Sequence, residues 1–243
     1  MTETVCWQYL KRQEYANDPV PPALPLFKPG RAQVKPISKD QARAVILKYE
    51  WLGSMAQTAY HYGIFYGDHL AGVTCFNVGG AGLAGINSHK EFKLQRGELA
   101  CLARGACVHW APKGTNSRLV AQSCKQFKKD VPAARLVIAY ADPAAGEMGT
   151  IYQACNWTHT GKTWKGRRWI GPDGQDRDWK YPYDLKRQHG GTRKQWAEWL
   201  REQGWTVKVL QAKLKYVWVL DKRDKDLIYL IQGKAQSYPK RSL

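Results

Sequence analysis

Residues 98–163, ELACLARGACVHWAPKGTNSRLVAQSCKQFKKDVPAARLVIAYADPAAGEMGTIYQACNWTHTGKT, alternate strand-like and helix-like runs. Residues 98–108 (ELACLARGACV) read as a strand, 109–118 as a loop, and 119–129 (LVAQSCKQFKK) as a helix. A buried strand follows at 134–142 (ARLVIAYAD), then a second helix start at 146–154 (GEMGTIYQA) and a strand region at 156–163. Arg104, Ser117, Asp142 and Tyr152 fall on different elements of this block. In a compact α/β unit such elements converge near strand ends, where an acyl-transferase-like cleft would form.

The 243 residues carry 38 Lys and Arg against 20 Asp and Glu, a formal charge of +18. Such a balance makes nucleic acid the first partner to consider. Residues 1–150 contribute +7 and residues 151–243 contribute +11 over a shorter stretch. Eleven Trp and thirteen Tyr lie among the charges. Basic residues attract phosphate and interleaved aromatics stack on unpaired bases. Lys165, Arg167, Arg168, Trp169, Lys213 and Lys215 are therefore the expected contacts to double-stranded DNA. No apolar run approaches the roughly 18 residues of a membrane helix, and the N-terminus lacks a signal-peptide layout, so a cytosolic protein is expected. The six cysteines form no CxxC pair and are expected reduced and buried.

Upstream of the block, the Pro-rich residues 1–30 are expected as an extended arm. A short strand at 33–37 leads into a helix capped by Ser38 with Gln41 as its capping-box partner. YHYGIFYGD and HLAGVTCFNVGG alternate as strands joined by a Gly67-Asp68 hairpin. The Gly-rich residues 79–92 lack a phosphate-loop Lys-Ser/Thr pair and are expected as a loop, with a lid one role for it. Downstream, 165–184 reads as strand and turns, 192–203 as an amphipathic helix, and LKYVWVLD and DLIYLIQ as two strands. The expected division is an arm at 1–30, a catalytic core at 31–170 and a basic aromatic part at 171–243 packed on the core.

Each candidate side chain has a plain structural alternative. Lys113, Gly114, Thr115, Asn116 and Ser117 precede a helix whose free amides attract anionic or carbonyl oxygen, yet Asn116 or Ser117 serves equally as an N-cap. Asp142 ends a central strand, a place for chemistry and also for a capping carboxylate. Tyr152, one turn into the next helix, is either a proton donor or a core tyrosine. Arg104 inside a small-residue strand requires a carboxylate, with Asp142 and Glu98 as the expected partners. Two-residue alternation puts Cys101, Cys107 and His109 on one strand face, where with His61 they would suit a metal, but the spacing matches no strong zinc pattern. The HxE…PCxxC signature of zinc deaminases and a DPPY-like tetrapeptide are missing, which argues against deaminases and adenine methyltransferases.

The segments GELACLAR, HWAPKGTNSRLVAQSCKQFKK and LVIAYADPAAGEMGTIYQACNWTHTGKT closely resemble the Mom DNA-modification proteins of Mu-like phages. The resemblance implies a GNAT-like fold of the α/β (α+β) class, a central mixed, mostly antiparallel sheet flanked by helices, with a basic aromatic-rich C-terminal extension. It also implies conversion of adenine in duplex DNA to its N6-carbamoylmethyl derivative in the host cytoplasm, which protects phage DNA from restriction. Tyr152 matches the place of the GNAT general acid. The loop WAPKGTNS matches the one that cradles acyl-CoA, but departs from the Gln/Arg-x-x-Gly-x-Gly/Ala pattern. A carbamoylmethyl group needs a new N–CH₂ bond, which attack on a thioester does not make. The small-molecule donor is therefore unknown, a metal such as iron stays open without ligands assigned, and so does a homodimer. The rival expectations are a non-enzymatic DNA-binding anti-restriction factor and a GNAT N-acetyltransferase acting on another amine.

Overall fold

A computed structural model describes residues 5–22, 24–79, 88–174, 176–177 and 190–240. The chain forms two compact units, one of residues 1–163 with 214–243 and one of residues 164–213. The larger holds a seven-stranded sheet of β1 (Gln33–Pro36), β2 (Tyr60–Tyr66), β3 (His69–Val78), β4 (Leu99–Cys107), β5 (Leu136–Ala141), β6 (Thr158–Lys162) and β10 (Leu214–Val219). Its order is β1-β2-β3-β4-β5-β10-β6, and every neighbouring pair is antiparallel except β4–β5. This is the mixed, mostly antiparallel, helix-flanked sheet expected from the sequence.

The helices cover both faces. Helix α2 (Lys39–Tyr49) starts where Ser38 and Gln41 complete the capping box, and it sets Ala42, Val45 and Ile46 against Val73, Cys75 and Ala106. Helix α4 (Thr115–Asp130) packs on the opposite face, where Val120, Cys124 and Phe127 meet Phe76, Ala100 and Leu102. Burying a Val, Ile, Leu or Phe side chain fully contributes about 1.5–3 kcal/mol.

Two irregularities of β4 shape the site. Parallel pairing with β5 covers only Leu99, Ala100 and Cys101 against Leu136, Val137 and Ile138. Beyond that the strands part, although β4 stays paired to β3 as far as Cys107 and β5 to β10 as far as Ala141. A wedge thus opens at the C-terminal ends of the two parallel strands. The second irregularity is a bulge. Arg104 lies opposite Cys75 while Leu102 lies opposite the adjacent Phe76, so Ala103 is extra. A bulge reverses the alternation of side chains. Leu102 accordingly faces α4, and Arg104 shares the α2 face with Cys75.

Several expectations are corrected. The N-terminal arm is not wholly extended, since α1 (Trp7–Gln13) precedes the prolines. It docks through Gln8 Nε2 to Tyr49 O (2.5 Å) and Arg12 to His109 O (2.9 Å). DLIYLIQ is not a strand but helix α7 (Lys225–Gln232), capped by Asp224, with Leu227 and Ile231 buried one turn apart. A seven-residue apolar run is too short for periodicity to choose between the two, and the cap decides. The compact units do not follow the expected boundary at 170, because β10 lies inside the main sheet, between β5 and β6. Residues 80–87 of the expected loop, 178–189 and 241–243 lie outside the described residues. The smaller unit contains the sheet β8 (Asp176–Arg177), β7 (Arg167–Ile170) and β9 (Thr206–Val209), in that order. It also contains helix α6 (Arg193–Glu202), opened by a Thr192–Gln195 capping box, with Leu200 and Trp205 buried.

Between β5 and the short helix α5 (Thr150–Ala154), Gly149 has φ +69°, and a Cβ there would enter the ring of Tyr216. Gly149→Ala is expected to cost about 2–4 kcal/mol, from overpacking and left-handed strain together. Urea unfolding measures this, and an unchanged midpoint would refute the packing described.

Candidate functional site

Arg104 meets neither of its expected carboxylates. Glu98 is held by Arg135 at 3.2 Å and by the amide of Gln95. The bulge instead turns Arg104 toward the end of α2, where Nε donates to Ser54 O at 2.8 Å and lies 3.9 Å from Glu50 Oε2. Glu50 caps the C-terminus of α2 and is only 6% exposed. Its Oε2 accepts the Leu52 amide at 3.0 Å. Burial pushes its carboxyl up to about 7, opposed by the Arg104 charge and reinforced by the Glu147 charge. A buried acid that titrates near neutrality beside a cation and a second acid is the electrostatic pattern of a proton-transfer site.

Glu147 is the second carboxylate, in the turn that follows β5. One oxygen accepts the indole N–H of Trp51 at 2.9 Å, and the other accepts the Asp142 amide at 3.0 Å. Asp142 itself caps the turn Pro143–Ala145, its Oδ1 accepting the Ala144 amide at 3.1 Å. The capping role weighed from the sequence is thus present, and the capped turn is what presents Glu147. Tyr152 stands on α5 with its ring against Trp157 and Tyr216, at 5.1 and 5.3 Å. Burial raises its phenol well above the usual range, and the Glu147 charge raises it further, so it stays protonated at any physiological pH. Glu147 therefore bears electrostatically on both Glu50 and Tyr152.

Ser117 lies in the first turn of α4, its hydroxyl donating to Gly114 O at 3.0 Å and its carbonyl accepting from the Cys155 thiol at 3.3 Å, next to α5. Gly114 has φ +88°, which turns the chain into the helix. Thr115 is buried with its hydroxyl 2.7 Å from that of Tyr66, and Asn116 Oδ1 accepts from the Cys107 thiol at 3.4 Å. Lys113 is exposed. Of the expected set, Arg104, Asp142 and Tyr152 are linked through Glu50 and Glu147, and Ser117 joins through Cys155. The two glutamates were missed. Glu50 sits in a charged-looking helix end, and only the fold shows its burial.

The bulge also overturns the shared face expected for the cysteines. Cys101 packs with Phe92 and Leu227, whereas Cys107 packs with Leu119. Burial pushes both thiols up to about 12. His109 is held by Tyr49 and Asp18 O, and His61 by Thr58. Among the described residues no group of three His, Cys, Asp or Glu side chains is placed to share an ion, so no step is drawn through iron or another metal.

Residues 164–213 hold twelve Lys and Arg against six Asp and Glu, and six of the eleven tryptophans. Lys165, Arg167 and Arg168 are exposed, and Arg168 lies directly opposite Lys208 on one face of the small sheet. Trp169 packs edge-on against Trp196, while Trp164 is 96% exposed. Lys213 is partly buried. Lys215, expected to contact DNA, is instead buried in the main sheet and gripped by both oxygens of Glu91 at 2.5 and 2.6 Å.

A carboxyl raised by folding binds more protons in the folded than in the unfolded state, so stability falls as pH rises from the ordinary carboxylate range to about 7. Glu50→Gln is expected to flatten that slope, an effect on the order of 2–3 kcal/mol between pH 4 and 8. Urea unfolding at the two pH values checks it.

Comparisons with known proteins come from folds and families. A Bacillus subtilis acetyltransferase solved with CoA is 12% identical, with a TM-score of 0.40, over 78% of this chain and 97% of its own. An N-acyl amino acid synthase from uncultured soil microbes is 14% identical, with a TM-score of 0.42, over 79% and 94%. A Vibrio cholerae spermidine N-acetyltransferase solved with CoA and spermine is 5% identical, with a TM-score of 0.42, over 82% and 99%. No curated protein matches the chain. The model of the Mom protein family matches residues 31–240, and the chain belongs to that family.

Proposed function

We propose that the chain is a DNA-modifying transferase of the host cytoplasm that converts adenine in duplex DNA to its N6-carbamoylmethyl derivative, shielding phage DNA from restriction. The observation that carries this reading is the buried Glu50 beside Arg104 and Glu147 at the wedge, in a Mom-family chain of formal charge +18. DNA and a small-molecule donor are its two substrates.

Adenine's exocyclic amine has a delocalised lone pair and is a weak nucleophile. A base that accepts a proton near neutrality is what such an amine needs. In this mechanism Glu50 takes one N6 proton as N6 bonds to the electrophilic methylene carbon of the donor. The leaving group departs with the electrons of its bond to that carbon and takes a proton from Tyr152. Glu50 is the base of this mechanism, and the Asp142 backbone amide holds Glu147 in place. Arg104 stabilises the ionised Glu50. Ser117 and the amides around Lys113, Gly114, Thr115 and Asn116 bind carbonyl or phosphate oxygens of the donor. Lys165, Arg167, Arg168, Trp169 and Lys213 grip the DNA backbone, which offsets the few kcal/mol of extruding one base.

Plasmid DNA from cells making the protein should yield carbamoylmethyladenosine by nucleoside mass spectrometry. Glu50→Gln and Tyr152→Phe should each lower the yield roughly a hundredfold. An acetyl mass instead would favour an N-acetyltransferase, and unmodified but tightly bound DNA would favour a shielding factor. Replacing Lys165, Arg167 and Arg168 by Ala should reduce the salt slope of DNA binding by about three.

A further inference from the structure

The rim of the wedge carries aromatic surface that the mechanism above leaves unused. Trp7, on α1, is 47% exposed, and its ring meets that of Trp51 edge-to-face at 5.1 Å. Trp51 follows Glu50 directly in the chain, and its indole N–H holds Glu147 at 2.9 Å. The start of α1 also touches the turn that bears Glu147. A Cβ at Gly146 would come within 2.9 Å of Val5 O and 3.0 Å of Cys6 Cα, and Gly146 has φ +71°. Gln8 ties the same helix to α2 by accepting the Trp51 amide at 3.3 Å. Val5, Tyr9, Leu10 and Leu52 add exposed apolar surface around the pair.

From this placement we infer that the exposed ring of Trp7, braced edge-on by Trp51, is the stacking platform for the target nucleobase. This rests on the DNA-modifying reading and deepens it. An unstacked purine suits the surface better than an apolar peptide would. Its flat face matches an indole, while its amine is a hydrogen-bond donor that needs the adjoining carboxylates. The chain's formal charge of +18 brings in the phosphates that come with such a base. Stacking on an aromatic side chain tolerates any base, so the platform holds the base and the carboxylates select its amine. It also explains why α1 is folded and anchored by Gln8 and Arg12 rather than trailing as an arm.

The test uses the full chain and two labelled duplexes, one with a single unpaired adenine and one with an abasic site in its place. Fluorescence anisotropy should show the wild-type protein preferring the adenine duplex about tenfold or more. Trp7→Ala should abolish that preference and leave abasic binding unchanged, and Trp7→Phe should restore most of it. Tyr229→Ala, which removes an 80% exposed ring on α7, should change neither. A preference that survives Trp7→Ala, or its absence from the wild type, overturns the platform. So does loss of self-association on Trp7→Ala with base preference intact, which would make the patch a contact between copies. Nucleoside mass spectrometry of plasmid DNA from cells making the wild-type protein, which supply the donor, separates the two ideas. Base preference without covalent change would sink the enzymatic reading and leave the platform standing.

Discussion

The structure depends on where β4 and β5 stop pairing. Backbone amides and carbonyls are obligatory hydrogen-bonding groups, and a sheet interior normally leaves none without a partner. Here the one parallel pair among the described strands of the main sheet closes for three positions and then parts, while each strand keeps its other neighbour to the end. The outer pairings hold the gap open. β10 matters for the same reason, because by lying on the far edge of β5 it fixes that strand without covering the wedge.

The bulge at Ala103 makes the gap chemically two-sided. Without it Arg104 would follow Leu102 onto the α4 face, among Val120 and Cys124. With it Arg104 crosses to α2 and finds Glu50. Tyr152 and Ser117 belong to the α4–α5 side, and Glu147 at the mouth bears on both sets. The proposed reaction brings two substrates together. A wedge with a carboxyl and cation on one face and a phenol and helix start on the other suits that proposal.

Much of this fold could be read in the chain because its elements are locally consistent. Ser38 and Gln41 mark a helix start, Gly67-Asp68 a hairpin, and 134–142 a buried strand. What could not be read was set by long-range contact. DLIYLIQ has apolar residues that fit either period, and only the Asp224 cap and packing on β4 and β5 decide for a helix. The bulge leaves no mark in ACLARGACV, so the cysteines seemed to share a face and Arg104 was given the wrong partners. Lys215 looked like one more surface cation because Glu91, its partner, is 124 residues away in sequence. Glu50 lay outside the quoted segments and Glu147, inside one, was given no role, since what distinguishes them is burial and proximity rather than type.

The position of Glu50 also carries an argument about charge. A chain of formal charge +18 would ordinarily favour ionised carboxylates throughout, by long-range attraction. Glu50 departs from that, raised to about 7 although Arg104 stands 3.9 Å away. Desolvation at a 6% exposed site outweighs both the nearby cation and the general field. Such an expense persists in a fold only where something over-determines it, and here the Leu52 amide, the bulge and the end of α2 all fix the carboxylate in place. A salt bridge built for stability would place Arg104 in bidentate contact with its acid, as Arg135 does with Asp224 at 2.7 and 2.9 Å. Arg104 instead makes its closest hydrogen bonds to the carbonyls of Ser54 and Ala103, so it bears on Glu50 through its charge at 3.9 Å and not through a paired contact.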